Sequence, residues 1–305
     1  MTSVSRIGVA IVAPGGYAPD ESAFHSGVAA LEAQGCNVHS YYDSTSKHLR
    51  FGGTDEARVA QLHAAATNPD IQIVMALRGG YGMSRLLPLL DYDLLAKSRK
   101  LFVGHSDFTA LQLALLAKTG AISFAGPMLC DDYTREDVSE VTRLDFWRCI
   151  SSLTHTVNWP AQGNPAISVS GQLWGGNLTM LTSLLGTPYF PQIEGGILFV
   201  EDIHEHPYRI ERMLLQLLHS GVLAQQKALI LGDFSGYRLT DYDNGYDFDS
   251  MLAYLRQHLP IPVLTGLPFG HIHDKATLPV GCDCQLDSLG DSVLLGMMRY
   301  PTLSP

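Results

Sequence analysis

Apolar positions in the first third of the chain fall into blocks of two alternating periods. Residues 7–14 (IGVAIVAP) are an unbroken apolar run closed by Gly15-Gly16, the pattern of a strand buried on both faces. Residues 22–34 (SAFHSGVAALEAQ) repeat apolar side chains at helical spacing and stop at Gly35, and 36–42 (CNVHSYY) read as a second strand. A helix is expected over 54–67, with Thr54 as its N-cap and Asp55 and Glu56 in the first turn, where they suit the helix dipole. The buried strand expected at 71–77 (IQIVMAL) runs into Arg-Gly-Gly-Tyr-Gly (78–82). After SRLLPLL comes LFVG, then His105-Ser106-Asp107 and a long amphipathic stretch. Such βαβα alternation predicts a mostly parallel sheet with right-handed crossovers, whose sites form at the carboxyl ends of strands. Both RGGYG and GHSD stand at such ends.

The pattern changes from about residue 126. A polar, irregular stretch and a helix (about 136–150) lead to a segment rich in Pro, Gly and Asn (158–167). Short strand-like runs follow (ISVSGQLWGG, GGILFVED, KALILGDFSGY and DSVLLGM), interrupted by the helical NLTMLTSLLG and YRIERMLLQLLHSG. The expected fold class is α/β. It comprises a mostly parallel, Rossmann-like N-terminal α/β domain (1–150), a linker (151–165) and a smaller C-terminal α+β domain rich in short strands (166–305).

Composition narrows this little. The 305 residues are 46% hydrophobic and 16% charged, which describes a well-buried globular chain. The net charge of −10, with no cluster of Lys or Arg, argues against nucleic acid as a partner. No apolar run approaches the roughly 18–20 residues of a membrane span, and the N-terminal run reads as a strand, not a signal peptide. The five scattered cysteines read as buried free thiols of a reducing compartment, so a cytoplasmic location is expected.

The chemistry centres on Ser106. A serine on a sharp strand-to-helix turn is the geometry of a nucleophile elbow, in which the following N–H faces a developing oxyanion. Phe108 stands where the last glycine of G-x-S-x-G would be, and Ser106 or Asp107 as a plain helix cap is the competing reading. A serine nucleophile needs a base, and the base an orienting acid. His271, in the tight loop GLPFGHIHD, and Glu201, at the end of the apolar run GGILFV, are the candidates. Capping or surface roles are open to Glu201, Asp202 and Glu205 alike. The His-x-His pairs (204/206 and 271/273) lack a third ligand at a recognisable spacing and HExxH is absent, so no metal is expected. The glycines of RGGYG let a backbone approach a ligand closely, although a tight turn is an equal reading. If Ser106 is the nucleophile, one of these glycines and the Asp107 N–H make an oxyanion hole. Asn177, in WGGNL, fits either a helix cap or a substrate ligand.

Taken together and in order, ALRGGYGMSRLL, GHSDFTALQ, LWGGNLTML, LFVEDIHEHPYRIERMLLQL and GLPFGH resemble the LD-carboxypeptidase family (muramoyltetrapeptide carboxypeptidases), which includes the microcin C self-immunity peptidases. The resemblance runs from APGGY near the N-terminus to LPVG at 278–281. It implies a Ser-His-Glu triad of Ser106, His271 and Glu201, with the Asp107 N–H and a glycine amide, here Gly80, as the oxyanion hole. It also implies a cytoplasmic homodimer that needs no cofactor or metal. Its substrate would be a murein tetrapeptide, cut between an L-centre and the terminal D-alanine during cell-wall recycling. The alternative within the family is an immunity peptidase acting on aminoacyl nucleotide analogues. For the free carboxylate of the leaving group, Arg78, Arg85 and Asn177 are the candidate substrate-binding residues.

Overall fold

The computed structural model describes residues 6–303. Its first half runs β1 (Ile7–Val12), α1 (Glu21–Ala33), β2 (Cys36–Ser40), α2 (Asp55–Thr67), β3 (Ile73–Ala76), α3 (Met83–Leu86), α4 (Tyr92–Lys97), β4 (Leu101–Gly104), α5 (Thr109–Thr119) and β5 (Ser123–Ala125). These five strands are parallel, in the order β5-β4-β3-β1-β2. Local chemistry sets the boundaries. Asp20 caps α1 through hydrogen bonds from the Ser22 and Ala23 N–H groups, and Thr54 caps α2 as expected. Gly120, at φ +70°, ends α5 in the left-handed conformation.

Helices α6 (Leu129–Asp132) and α7 (Glu140–Ser151) lead to β6 (Thr154–Pro160), β7 (Ile167–Asn177), α8 (Leu178–Ser183), β8 (Ile197–Ile203), α9 (Pro207–His219) and β9 (Ala228–Ser235). Then come α10 (Phe248–His258), β10 (Val263–Thr265), β11 (Leu278–Val280), β12 (Asp283–Ser288) and β13 (Ser292–Met298). The second sheet has the order β10-β9-β8-β7-β12-β13-β6. Its β7–β10 portion is parallel, and β12, β13 and β6 are antiparallel. The molecule is thus α/β, with a parallel-rich N-terminal sheet and a strand-rich C-terminal part.

Several elements differ from the expectations, β5 and β12 among them. The stretch read as a linker contains β6, whose side chains alternate exposed and buried along THTVNWP as an edge strand requires. Helix α10 was not anticipated. The short β11 leaves the C-terminal part altogether and pairs antiparallel with β5, completing a six-stranded first sheet.

The strand ends of the two sheets face one another. At the contact, the Asn177 N–H donates to Thr109 Oγ1 at 3.0 Å, and a Cβ at Gly176 would lie 2.6 Å from that oxygen. A second contact holds the segment between β10 and β11 against α6 and α7. Lys275 Nζ lies 2.6 Å from Asp132 Oδ1 with both side chains buried, and Asp132 Oδ2 accepts from the Met128 N–H. The Lys275 N–H donates to Thr142 Oγ1, which itself donates to the His273 carbonyl. Removing one member of a buried pair strands the other's charge. Lys275→Met is therefore expected to cost about 3–5 kcal/mol in urea unfolding, and adding Asp132→Leu to restore more than half of it. A single substitution costing less than about 1 kcal/mol would show that the pair does not hold this contact.

Candidate active site

The turn after β4 is sharp. His105 is extended, at φ −145° and ψ −167°, and Ser106 sits at φ +59°, a left-handed conformation that non-glycine residues adopt at a cost. Residues 106–108 form one 3-10 turn before α5 begins. Neither Ser106 nor Asp107 caps that helix. No side-chain cap is present at its start, and Asp107 points away to accept the Met83 N–H at 3.0 Å. Capping therefore does not account for the serine.

The Gly-rich turn after β3 packs directly on this elbow because β3 and β4 are neighbours. A Cβ at Gly79 would sit 2.7 Å from Ser106 Cβ and 2.8 Å from its Oγ. A Cβ at Gly15, in the turn after β1, would lie 3.0 Å from Asp107 Oδ2 and 2.9 Å from the Gly79 carbonyl. The Gly16 N–H closes the layer by donating to that carbonyl at 3.1 Å. Gly80, at φ +105°, lies between these contacts. Arg58, fully buried, bonds the Pro14 and Gly82 carbonyls and so ties the first two turns together. Sequence reading missed this use of Arg58, and missed Gly79 and the Asp107 carboxylate. Only the glycine density hinted at a close approach.

Glu201 is at the end of β8, where a bulge between Val200 and Asp202 interrupts the pairing with β9. A bulge suspends the strict in/out alternation and re-aims the side chain. Glu201 has no exposed surface. Its Oε2 lies 2.8 Å from His271 Nδ1, and its Oε1 accepts from Asn177 Nδ2 at 3.2 Å. Gly270, at φ +143°, makes room: a Cβ there would fall 3.3 Å from Glu201 Oε2. His271 also stands against the elbow, its ring centroid 5.2 Å from that of His105. Burial alone would lower the His271 pKa, but the hydrogen bond and charge of Glu201, with Asp131 adding to them, raise it above the ordinary 6.5.

The other candidates part ways. Asn177 is used up internally: Oδ1 caps α8 by accepting the Met180 N–H, and Nδ2 bonds Glu201 and Asp202. It holds the acids in place and has no side-chain N–H left to offer a carboxylate. Arg85 is engaged too, 2.9 Å from Asp55 and over the Phe51 ring. Arg78 lies along Gly16, with only a 3.5 Å contact from Nη1 to the Tyr17 carbonyl, and pairs with no carboxylate among the described residues. The histidines weighed as metal ligands go to separate partners: His204 to the Gly236 carbonyl, His206 to Asp243, His273 to Asp274 and Asp137.

An elbow serine, a glycine turn and a carboxylate-bound imidazole thus lie together, and comparison with known proteins gives the family. Residues 9–126 match the LD-carboxypeptidase N-terminal domain and residues 170–286 the LD-carboxypeptidase C-terminal domain. The crystal structure of muramoyltetrapeptide carboxypeptidase from Oxalobacter formigenes is 56% identical, covers 97% of this chain and 100% of its own, and superposes with a TM-score of 0.94. The murein tetrapeptide carboxypeptidase of Pseudomonas aeruginosa is 31% identical over 82% of this chain and 84% of its own length. The microcin C7 self-immunity protein of Escherichia coli is 30% identical over 87% and 85%. The chain belongs to the LD-carboxypeptidase family, and is an enzyme of that serine-type class.

Asp107 generates a prediction independent of substrate. Burial pushes its pKa up to about 6, against the opposing hydrogen bonds from the Met83 and Gly82 N–H groups. The folded chain therefore holds this proton more tightly than the unfolded chain, whose ordinary value is 3.8, and stability falls as pH rises between these values. The full effect is on the order of 3 kcal/mol. Asp107→Asn is expected to flatten that dependence in urea unfolding at about pH 4 and about pH 7.5. An unchanged pH dependence in the variant would show that this carboxyl is not the source.

Proposed function

We propose that this protein is a serine carboxypeptidase that hydrolyses the L–D peptide bond before the terminal D-alanine of murein tetrapeptides. The observation that carries the reading is the 2.8 Å contact between His271 and the buried Glu201, beside a serine held at positive φ. Because Glu201 accepts at Nδ1, the proton of neutral His271 sits there and Nε2 is left as the basic nitrogen. His271 takes the Ser106 proton as Ser106 attacks the carbonyl of the L-residue. The oxyanion settles on the Asp107 and Gly80 amides, neither of which donates to another described residue. His271, stabilised as imidazolium by Glu201, then protonates the departing D-alanine amine, and water resolves the acyl-enzyme. Arg78, the unpaired cation beside the glycine turn, takes the free D-alanine carboxylate. The setting inferred for this chemistry is the cytoplasm, with the enzyme as a homodimer. No helix among the described residues is long and apolar enough to cross a membrane.

The likeness to the self-immunity protein supports a second reading, in which the substrate is an acyl-sulfamoyl nucleotide. The 56% identity to a muramoyltetrapeptide carboxypeptidase favours the first. Comparing kcat/KM on the two substrates decides between them.

Mass spectrometry of the products of a free murein tetrapeptide should show D-alanine release. Ser106→Ala should lower that turnover by about 10³-fold or more while the fold is retained. Near-normal turnover by the variant would remove the triad, and failure of the native enzyme on the peptide would remove the substrate. The pH profile gives a separate reading. Neutral His271 is the active form and its pKa is raised, so activity rises with pH through a midpoint above 6.5. Glu201→Gln removes the raising charge and is expected to move the midpoint down. A midpoint that stays in place would sever Glu201 from the base.

A further inference from the structure

A second imidazole stands beside the triad, and the mechanism above gives it no task. His105, the residue before Ser106, is 1% exposed. Its Nδ1 lies 2.9 Å from the Gly126 carbonyl oxygen. A carbonyl only accepts, so the ring carries its proton at Nδ1 and Nε2 is a bare lone pair. That nitrogen meets no hydrogen-bond partner among the described residues. Buried polar atoms in native folds nearly always have one, so an orphan at an active-site edge calls for an explanation.

The surroundings of the ring supply it. His105 meets His271 edge to face, with centroids 5.2 Å apart and planes at 74°. It meets Phe269 in the same manner, at 6.4 Å and 75°. The Gly126 N–H donates to the Gly104 carbonyl, so the residue that fixes the ring is tied to the strand that carries it. The charged and titratable groups acting on the ring are Lys275, His271 and Arg135. Burial first, and then these cations, hold the His105 pKa well below that of an ordinary histidine.

We propose that His105 is a positioning residue for His271: an imidazole, anchored on Gly126, that fixes the plane of the base's ring. The proposal rests on the triad reading. During the reaction His271 alternates between imidazole and imidazolium, and it must hold Nε2 on the line between Ser106 and the leaving amine. A protonated neighbour at this distance would repel the imidazolium. A neutral ring in edge-to-face contact restricts rotation without that opposition. The bare Nε2 follows from this arrangement, because the proton that would satisfy it would also charge the ring.

Three substitutions separate positioning from packing. His105→Gln keeps an N–H for the Gly126 carbonyl but has no ring. It is expected to lower kcat about 10- to 100-fold with KM within about twofold, the signature of a misaligned base. His105→Phe keeps the ring without the anchor and is expected to lie within about threefold of the native kcat, with the acid limb of the pH profile unmoved. His105→Ala, lacking both, should be the slowest. Thermal melts of all three show whether lost stability accounts for the order. A Gln variant at the native rate, or a Phe variant as slow as Ala, overturns the proposal. An acid limb that shifts in the Phe variant overturns it too, since His105 would then titrate. Ser106→Ala, run alongside, distinguishes this from failure of the triad, which would leave that variant active.

Discussion

A carboxylate with no exposed surface is the constraint on which the site depends. A buried polar group left without a partner costs free energy, so both oxygens of Glu201 need hydrogen-bond partners. His271 and Asn177 occupy them. Each partner is fixed in turn. Asn177 is shared with Asp202 and reaches across to Thr109 through its N–H, and Asp202 is held by the Thr179 N–H and hydroxyl. His271 arrives because the preceding residue is a glycine with room for nothing more. One acid therefore links β7, β8, the loop after β10 and, through Thr109, the helix that follows Ser106.

The N-terminal half answers with an arrangement of a different kind. There, precision comes from removing atoms. Gly15, Gly79 and Gly104 let three strand ends approach until a single added methyl would overlap Asp107, Ser106 or Phe108. Interiors packed at this density transmit displacement instead of absorbing it. The strained φ of Ser106 persists with Gly79 packed against its side chain, while the Asp107 carboxylate reaches the far end of the glycine turn. The two halves thus contribute unlike components: a rigid backbone cradle from one and a polar relay from the other.

Much of this was legible in the residues. The β1–β4 succession followed from apolar runs separated by helical periods, and Thr54 announced α2; β5, only three residues long, was not read. The elements that escaped notice had signals masked by their neighbours. In β6 the alternation of His155, Val157 and Trp159 is clear, but Pro160, Gly163, Asn164 and Pro165 beside it read as a connector. Helix α10 has Asp247 as its cap, yet it follows the turn-rich DYDNGYD. Other features have no local signature at all. Lys275 and Asp132 are 143 residues apart, and nothing near either predicts the other. Arg85 looked free for an anion because Asp55, its partner, lies 30 residues earlier. Glu201 and His271 were nominated by loop context and by family likeness. Their distance from one another belongs to tertiary structure.

The path of β11 has a consequence for how this fold can vary. The segment carrying His271 is moored upstream in one sheet by β10 and downstream in the other by β11. Linear and spatial boundaries therefore do not coincide: the last strand of the first sheet is encoded after most of the second. A recombination event that exchanged the C-terminal portion between relatives would also replace an edge of the N-terminal sheet. Such chimaeras inherit a foreign seam along Ser123–Ala125, and the two portions are bound to diverge together.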